Sequence, residues 1–233
     1  MKKSIIKKIT ALVACAAMTL PVLGQTVSAN AAESITPIVL DEKIVNTQNS
    51  SVISTVDWSG SYDWQHQNNN YCCWAATGSM LFTTIYGTTI TQNDVAYGAN
   101  VSITNTSGAS LGDLGNAVDF LNYALNQSHT WTTFSPNSTS GLNQIKNLLN
   151  NGKAIAMSTS YTKNNGTTAY HMVLCTGYRI MVNNTVQFHI YDPAPSEESS
   201  GDYWTGPYNS TNVGYMTAIY GSVNIISCGY FSN

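Results

Sequence analysis

Three short stretches of the chain hold residue types that can do chemistry together. The first is Gln67-Asn68-Asn69-Asn70-Tyr71-Cys72-Cys73-Trp74-Ala75-Ala76. Apolar and small residues take over at Trp74, so Cys73 stands at the expected start of a helix. There the positive end of the helix dipole favours the thiolate, the nucleophilic form of cysteine. Gln67 lies upstream, where its amide N–H and the backbone N–H of Cys73 can together stabilise an oxyanion. The second stretch is Tyr170-His171-Met172-Val173-Leu174, in which an imidazole opens an apolar run. The third is Phe188-His189-Ile190-Tyr191-Asp192-Pro193, in which a carboxylate closes one.

These groups are useful only if the fold brings them together. The spacing of apolar residues predicts a helix over Cys73–Tyr86, stopped by Gly87, and a short helix over Gln92–Tyr97 capped by Thr91 with Asp94 three residues on. Leu111, Leu114, Val118, Leu121 and Leu125 form one stripe of a third helix. Leu142–Leu149 forms a fourth, with Gly152 as its C-terminal cap. The pattern then turns to strands over Ala154–Ser160, Ala169–Ile180 and Val186–Asp192, with turns at Asn164-Asn165-Gly166 and Asn183-Asn184. A polar loop is expected from Ala194 to about Val213, followed by strands near Tyr215–Tyr220 and Val223–Tyr230. Helices first and antiparallel strands second make an α+β layout. If the strands holding His171 and Asp192 pair as a hairpin, the start of one lies beside the end of the other. Asp192 then orients the imidazole, and His171 activates Cys73.

The segment Gln67 to Cys73-Trp74-Ala75-Ala76, the His171 strand and Asp192-Pro193 resemble the papain-like cysteine peptidases. The similarity is greatest to the compact bacterial branch that includes the bacteriocin-leader (double-glycine) peptidase-like domains. Order, spacing and element type agree over residues 65–193. The resemblance implies a papain-like fold with a helical half, an antiparallel β half and a cleft between them. It implies Cys73 as nucleophile, His171 as general base, Asp192 as its orienter and Gln67 as oxyanion donor; a peptide or protein is the expected substrate, and no cofactor is expected. The chain also departs from the pattern. Plant and lysosomal members have Cys-Gly-Ser-Cys-Trp where Tyr71-Cys72-Cys73-Trp74 stands here, and the Cys-Gly-Pro usual in double-glycine peptidases is absent. The substrate is therefore not implied.

Other readings of the same residues remain open. Cys72 is the rival nucleophile, although it precedes the helix. Cys72, Cys175 and Cys228 are candidates for a disulfide, as Cys72–Cys228 or Cys175–Cys228. His189 is the rival imidazole, but strand alternation puts it on the opposite face from Asp192. His66 and His129 read as surface or loop residues. Asp192 before a proline also suits a turn cap. Trp64 and Trp204 suit either aromatic packing or a cleft wall. The same nucleophile would serve a peptidoglycan amidase or endopeptidase or an acyl-transferase, and a catalytically silent papain-like binding module is the non-enzymatic alternative.

Composition narrows the classes further. Of 233 residues only 9% are charged, with net charge −3, so there is no basic surface to neutralise a run of phosphates, and nucleic-acid binding is disfavoured. The 14 Tyr and 5 Trp disfavour disorder. No CxxC pair or HExxH motif suggests a metal, and no glycine fingerprint suggests a nucleotide. Met1-Lys2-Lys3, Lys7-Lys8, the apolar run Ile9–Val22 and the small-residue site Ala29–Ala31 read as a secretory signal over residues 1–31. Pro21 and the shortness of the run argue against a stable membrane span. A lipoprotein signal ending at Cys15 is the rival reading. Residues 32–57 read as a tail or short pro-segment, and residues 58–233 as one domain, expected to be monomeric.

Overall fold

The computed structural model describes residues 52–136, 139–163, 166–194, 201–208, 215–218 and 221–233. The expected signal segment, Asn164-Asn165 and most of the 194–213 stretch lie outside them.

Helix α1, Cys73–Tyr86, supplies the helical half with its axis. Its residues Trp74 to Phe82 are all buried, so it is a core helix with apolar or small side chains on every side. It ends at Gly87, whose φ of 62° is left-handed and open to glycine without strain. Helix α2, Gln92–Gly98, and helix α3, Leu111–Leu125, each begin with a capping box, Thr91 with Asp94 and Ser110 with Asp113. The α3 stripe is buried at Leu111, Leu114, Val118 and Leu121. Gly78 on α1 faces α2 and α3, where a Cβ would lie 2.9 Å from Val95 and 3.0 Å from Leu114. Glycine there sets how closely the three helices approach.

The β half is one antiparallel eight-stranded sheet among the described residues, in the order β2-β8-β3-β4-β5-β6, with β1 on β4 and β7 on β8. The strands are β1 (Val52–Asp57), β2 (Trp131–Phe134), β3 (Ile155–Thr162), β4 (Thr168–Met181), β5 (Val186–Tyr191), β6 (Asp202–Tyr208), β7 (Tyr215–Ala218) and β8 (Gly221–Phe231). Helix α4, Thr139–Asn150, covers one face through Leu142, Ile145, Leu148 and Leu149. The other face packs on α1 and α3. Strand β4 therefore sends Met172 and Leu174 into one cluster and Val173 and Cys175 into the other, as a strand between two layers must.

The sheet differs from the sequence reading at three strands. Residues 52–57, assigned to the tail, form β1, which takes the edge of β4 beyond the point where β3 stops (Asp57 opposite Gly177, Ile155 opposite Cys175). A Cβ at Gly177 would run into the Val56 carbonyl. The expected loop after Ala194 contains β6, whose alternation is masked in sequence because its Asp202 has a buried histidine as partner. Among the described strands the short β2 pairs with β8 alone. Among the described residues the four expected helices and the turn at Asn183-Asn184 are present, α1 and α3 with the expected bounds, α2 one residue longer, and α4 starting at Thr139 and ending at Asn150 rather than Leu142–Leu149. Asn184 takes a left-handed φ of 59°. No helix among the described residues is long and apolar enough to cross a membrane.

Candidate active site

Cys73 is the first residue of α1, and no acidic side chain lies in the first turn to compete with a thiolate for the helix dipole. Cys73 is half-buried and lines a cleft of about 320 Å³ between the two halves, shared with Tyr71, Ala109, Tyr161, Tyr170 and His171. His171 enters from β4. Thr159 on the neighbouring strand donates to the His171 carbonyl at 3.0 Å. Thr77, one turn along α1 from Cys73, donates to the Met172 carbonyl at 3.1 Å. The helix that holds the thiol and the strand that holds the imidazole are thus pinned next to both groups.

The hairpin of β4 and β5 pairs Leu174 with Tyr191, which puts Asp192 beside His171. His171 Nε2 and Asp192 Oδ1 are 2.7 Å apart, both buried, and the His171 side chain is also hydrogen-bonded to the Cys73 side chain. Asp192 is held from every direction. Its Oδ1 also accepts the Ala194 N–H at 2.9 Å, its Oδ2 accepts the Tyr203 hydroxyl at 3.0 Å, and its N–H donates to the Gly201 carbonyl at 2.8 Å. The turn-cap role and the partnership with His171 coexist in one side chain.

Gln67 is buried in the segment that leads into α1, and its side-chain carbonyl Oε1 has no hydrogen-bond partner among the described residues. Its backbone N–H donates to the Pro193 carbonyl at 2.8 Å, and Trp64 Nε1 donates to the Asp192 carbonyl at 2.7 Å. These two bonds splice the glutamine segment to the aspartate segment.

The Peptidase_C39-like family model matches residues 60–215, two thirds of the chain. The chain belongs to the Peptidase_C39-like family. It is a cysteine peptidase, in line with the resemblance read from Gln67, Cys73, His171 and Asp192. Among solved structures, the bromelain protease from Ananas comosus in complex with the E64 inhibitor is similar, with 13% identity, a TM-score of 0.45, and coverage of 77% of this chain and 99% of that one. No curated protein matches.

In this C39-like peptidase the electrostatics follow from the contacts. Burial alone would depress the His171 pKa, but the hydrogen bonds to Asp192 and Cys73 and their charges outweigh it and raise it to about 10. Burial would raise the Asp192 pKa. The His171 hydrogen bond and charge, with the Ala194 N–H and the Tyr203 hydroxyl, overcome that and hold it below the ordinary carboxylate value. The imidazolium is therefore the favoured form of His171 at neutral pH.

The rival residues have other places. Cys72 is the N-cap of α1 and fully buried, its thiol 3.3 Å from the Asn69 carbonyl and 3.4 Å from Gln92 Oε1. Burial raises its pKa. All four described cysteines, Cys72, Cys73, Cys175 and Cys228, are free, so neither disulfide considered from sequence is formed. His189 lies on the far face of β5, between Asp57 (2.9 Å) and Asp202 (2.6 Å). Trp204 stacks on His189, and Trp64 bonds to Asp192, so both tryptophans serve packing. His66 is exposed, whereas His129 is half-buried and edge-on to Tyr86 and Phe231. Sequence reasoning missed Tyr203 and Thr77. Tyr203 sits in the stretch read as a loop, and Thr77 looks like any small helix residue. No group of three or more His, Cys, Asp or Glu residues able to hold a metal ion is found among the described residues.

Proposed function

We propose that the protein is a secreted cysteine peptidase that hydrolyses peptide bonds, with Cys73 as nucleophile, His171 as general base and acid, Asp192 as the orienter of His171 and Gln67 as an oxyanion donor. One observation carries this reading: His171 is held between the Asp192 carboxylate and the Cys73 side chain at a helix start that opens on the cleft.

His171 takes the proton of the Cys73 thiol, a transfer favoured by the raised affinity of His171 for a proton and by the positive end of the helix dipole. Sγ attacks the scissile carbonyl carbon, and charge develops on the carbonyl oxygen. The Cys73 backbone N–H, which has no intrahelical acceptor at the helix start, and the Gln67 amide N–H donate to that oxygen. The C–N bond then breaks, and the imidazolium proton goes to the leaving amine. Neutral His171 next takes a proton from water, hydroxide attacks the thioester, and the freed thiolate re-forms the pair. Asp192 remains ionised throughout and holds the imidazole orientation.

We also propose that residues 1–31 are a cleaved secretory signal, so that the mature protein is exported and meets its peptide or protein substrate outside the cell. Covalent labelling with an epoxysuccinyl-peptide probe, followed by peptide mapping, tests the assignment. A single adduct on Cys73, lost in His171→Ala, is expected. An adduct on Cys72, or full hydrolysis by Cys73→Ala, would overturn the reading. Casein against purified cell wall as substrate separates peptide-bond hydrolysis from a peptidoglycan amidase.

A further inference from the structure

Strand β6 grips the sheet from both faces, and its middle residue reaches the active site. Residues 202, 203 and 204 alternate as strand residues must. On one face, Asp202 lies 2.6 Å from His189 Nε2, and the Trp204 ring stacks on the same imidazole, 4.6 Å between centroids and 15° from parallel. Arg179 covers the Trp204 ring at 4.6 Å, and Asp57 of β1 holds His189 Nδ1 at 2.9 Å. On the other face, the Tyr203 hydroxyl donates to Asp192 Oδ2 at 3.0 Å. The backbone register agrees, with His189 opposite Trp204 and Ile190 opposite Tyr203.

We propose that Tyr203 is a positioning residue for the active-site carboxylate: it fixes Asp192 Oδ2 so that Oδ1 stays on His171, while the Asp57–His189–Asp202 cluster with Trp204 keeps β6 in the register that delivers it. This rests on the reading of Cys73, His171 and Asp192 as a triad. The terminal torsion of an aspartate is broad and nearly two-fold. Asp192 Oδ1 already has two donors, His171 and the Ala194 N–H. Oδ2 is the oxygen whose partner decides whether the carboxylate stays in that orientation. Asp192 is 1% exposed, so water is a poor substitute for a lost hydroxyl. The same bond favours the ionised carboxylate. Its loss makes Asp192 easier to protonate, weakens the imidazolium, and delays thiolate formation on Cys73 to higher pH.

The test uses the full chain and needs no substrate. The second-order rate of Cys73 alkylation by iodoacetamide is followed over roughly pH 4 to 9, with peptide mapping and a thermal melt on the same samples. Wild type, Tyr203→Phe and Asp192→Asn are compared. Tyr203→Phe keeps the ring. It is expected to slow Cys73 alkylation about 10-fold near the acid limb, the order of one hydrogen bond to a charged group, and to move that limb to higher pH. Asp192→Asn is expected to move it further in the same direction. A Tyr203→Phe profile that overlays wild type, while Asp192→Asn departs from it, would overturn the role of Tyr203 and leave the triad reading intact. If Asp192→Asn also overlays wild type, the triad reading falls and this proposal falls with it. A lower melting temperature with an unmoved limb reduces Tyr203 to packing and likewise overturns the proposal.

Discussion

Replacing Asp192 by Asn removes one charge and keeps the shape, and its effect on stability can be worked out from the site. His171 has a folded pKa of about 10 against an ordinary value of 6.5. A raised value means that folding gains from protonation. That gain is fully present below the unfolded value and is lost as pH rises through the folded one. At pH 7 the difference is about 4 kcal/mol by linkage. Asp192 shares it with Cys73, and its hydrogen bond stands ahead of the cysteine's among the causes that raise the value. Asp192→Asn should therefore cost about 2–3 kcal/mol at pH 7, in keeping with a hydrogen bond between charged groups. For a domain of this size that is a fall in Tm of about 4–12 °C. The assay is urea unfolding of both proteins across neutral to alkaline pH. The gap should narrow as pH passes 10, because wild type loses its imidazolium there. A gap below about 0.5 kcal/mol, or one that stays constant through the alkaline range, would refute the reasoning.

Four further outcomes are expected. Gly201→Ala places a Cβ against the Asp192 carbonyl and Trp64 Nε1, so it should break the Trp64 bond and lower both activity and melting temperature; a calorimetric scan beside an activity assay checks it. Thr77→Val leaves the buried Met172 carbonyl without its donor, and urea unfolding should show a loss of about 1–3 kcal/mol together with slower Cys73 alkylation. Gln67→Ala should lower kcat by about 10²–10³ with little change in KM, as expected for a donor engaged only in the transition state. Asp57→Asn should destabilise the neutral protein by about 1 kcal/mol. The Asp57 pKa is depressed: its burial is outweighed by the His189 hydrogen bond and the Ser59 N–H. The difference from wild type should therefore be full above the ordinary value of 3.8 and vanish in acid below it.

The helical half and the central hairpin were legible in the sequence because their signals are local. The α3 stripe, the capping box at Thr91 and the stop at Gly87 each lie within a few residues. The meeting of His171 and Asp192 was legible because a hairpin converts spacing along the chain into proximity. Strand β1 and strand β6 were not legible. Asp57, Asp202 and Trp204 look like loop residues until the folded sheet gives all three one buried partner, His189. Tyr203 was hidden for the same reason. The role of Cys72 also depends on a distant residue, since Gln92 of α2 receives its thiol.

That placement of Cys72 bears on how the protein meets an oxidant. Cys73 faces the cleft, whereas Cys72 is turned inward between Asn69 and Gln92 and is kept protonated by burial. A sulfenic acid formed on Cys73 is normally rescued by a nearby resolving thiolate. The adjacent cysteine in this chain cannot act as one without leaving its pocket at the helix start. Oxidative inactivation should therefore persist until a small external thiol enters the cleft, and further oxidation to the sulfinic acid competes with that rescue.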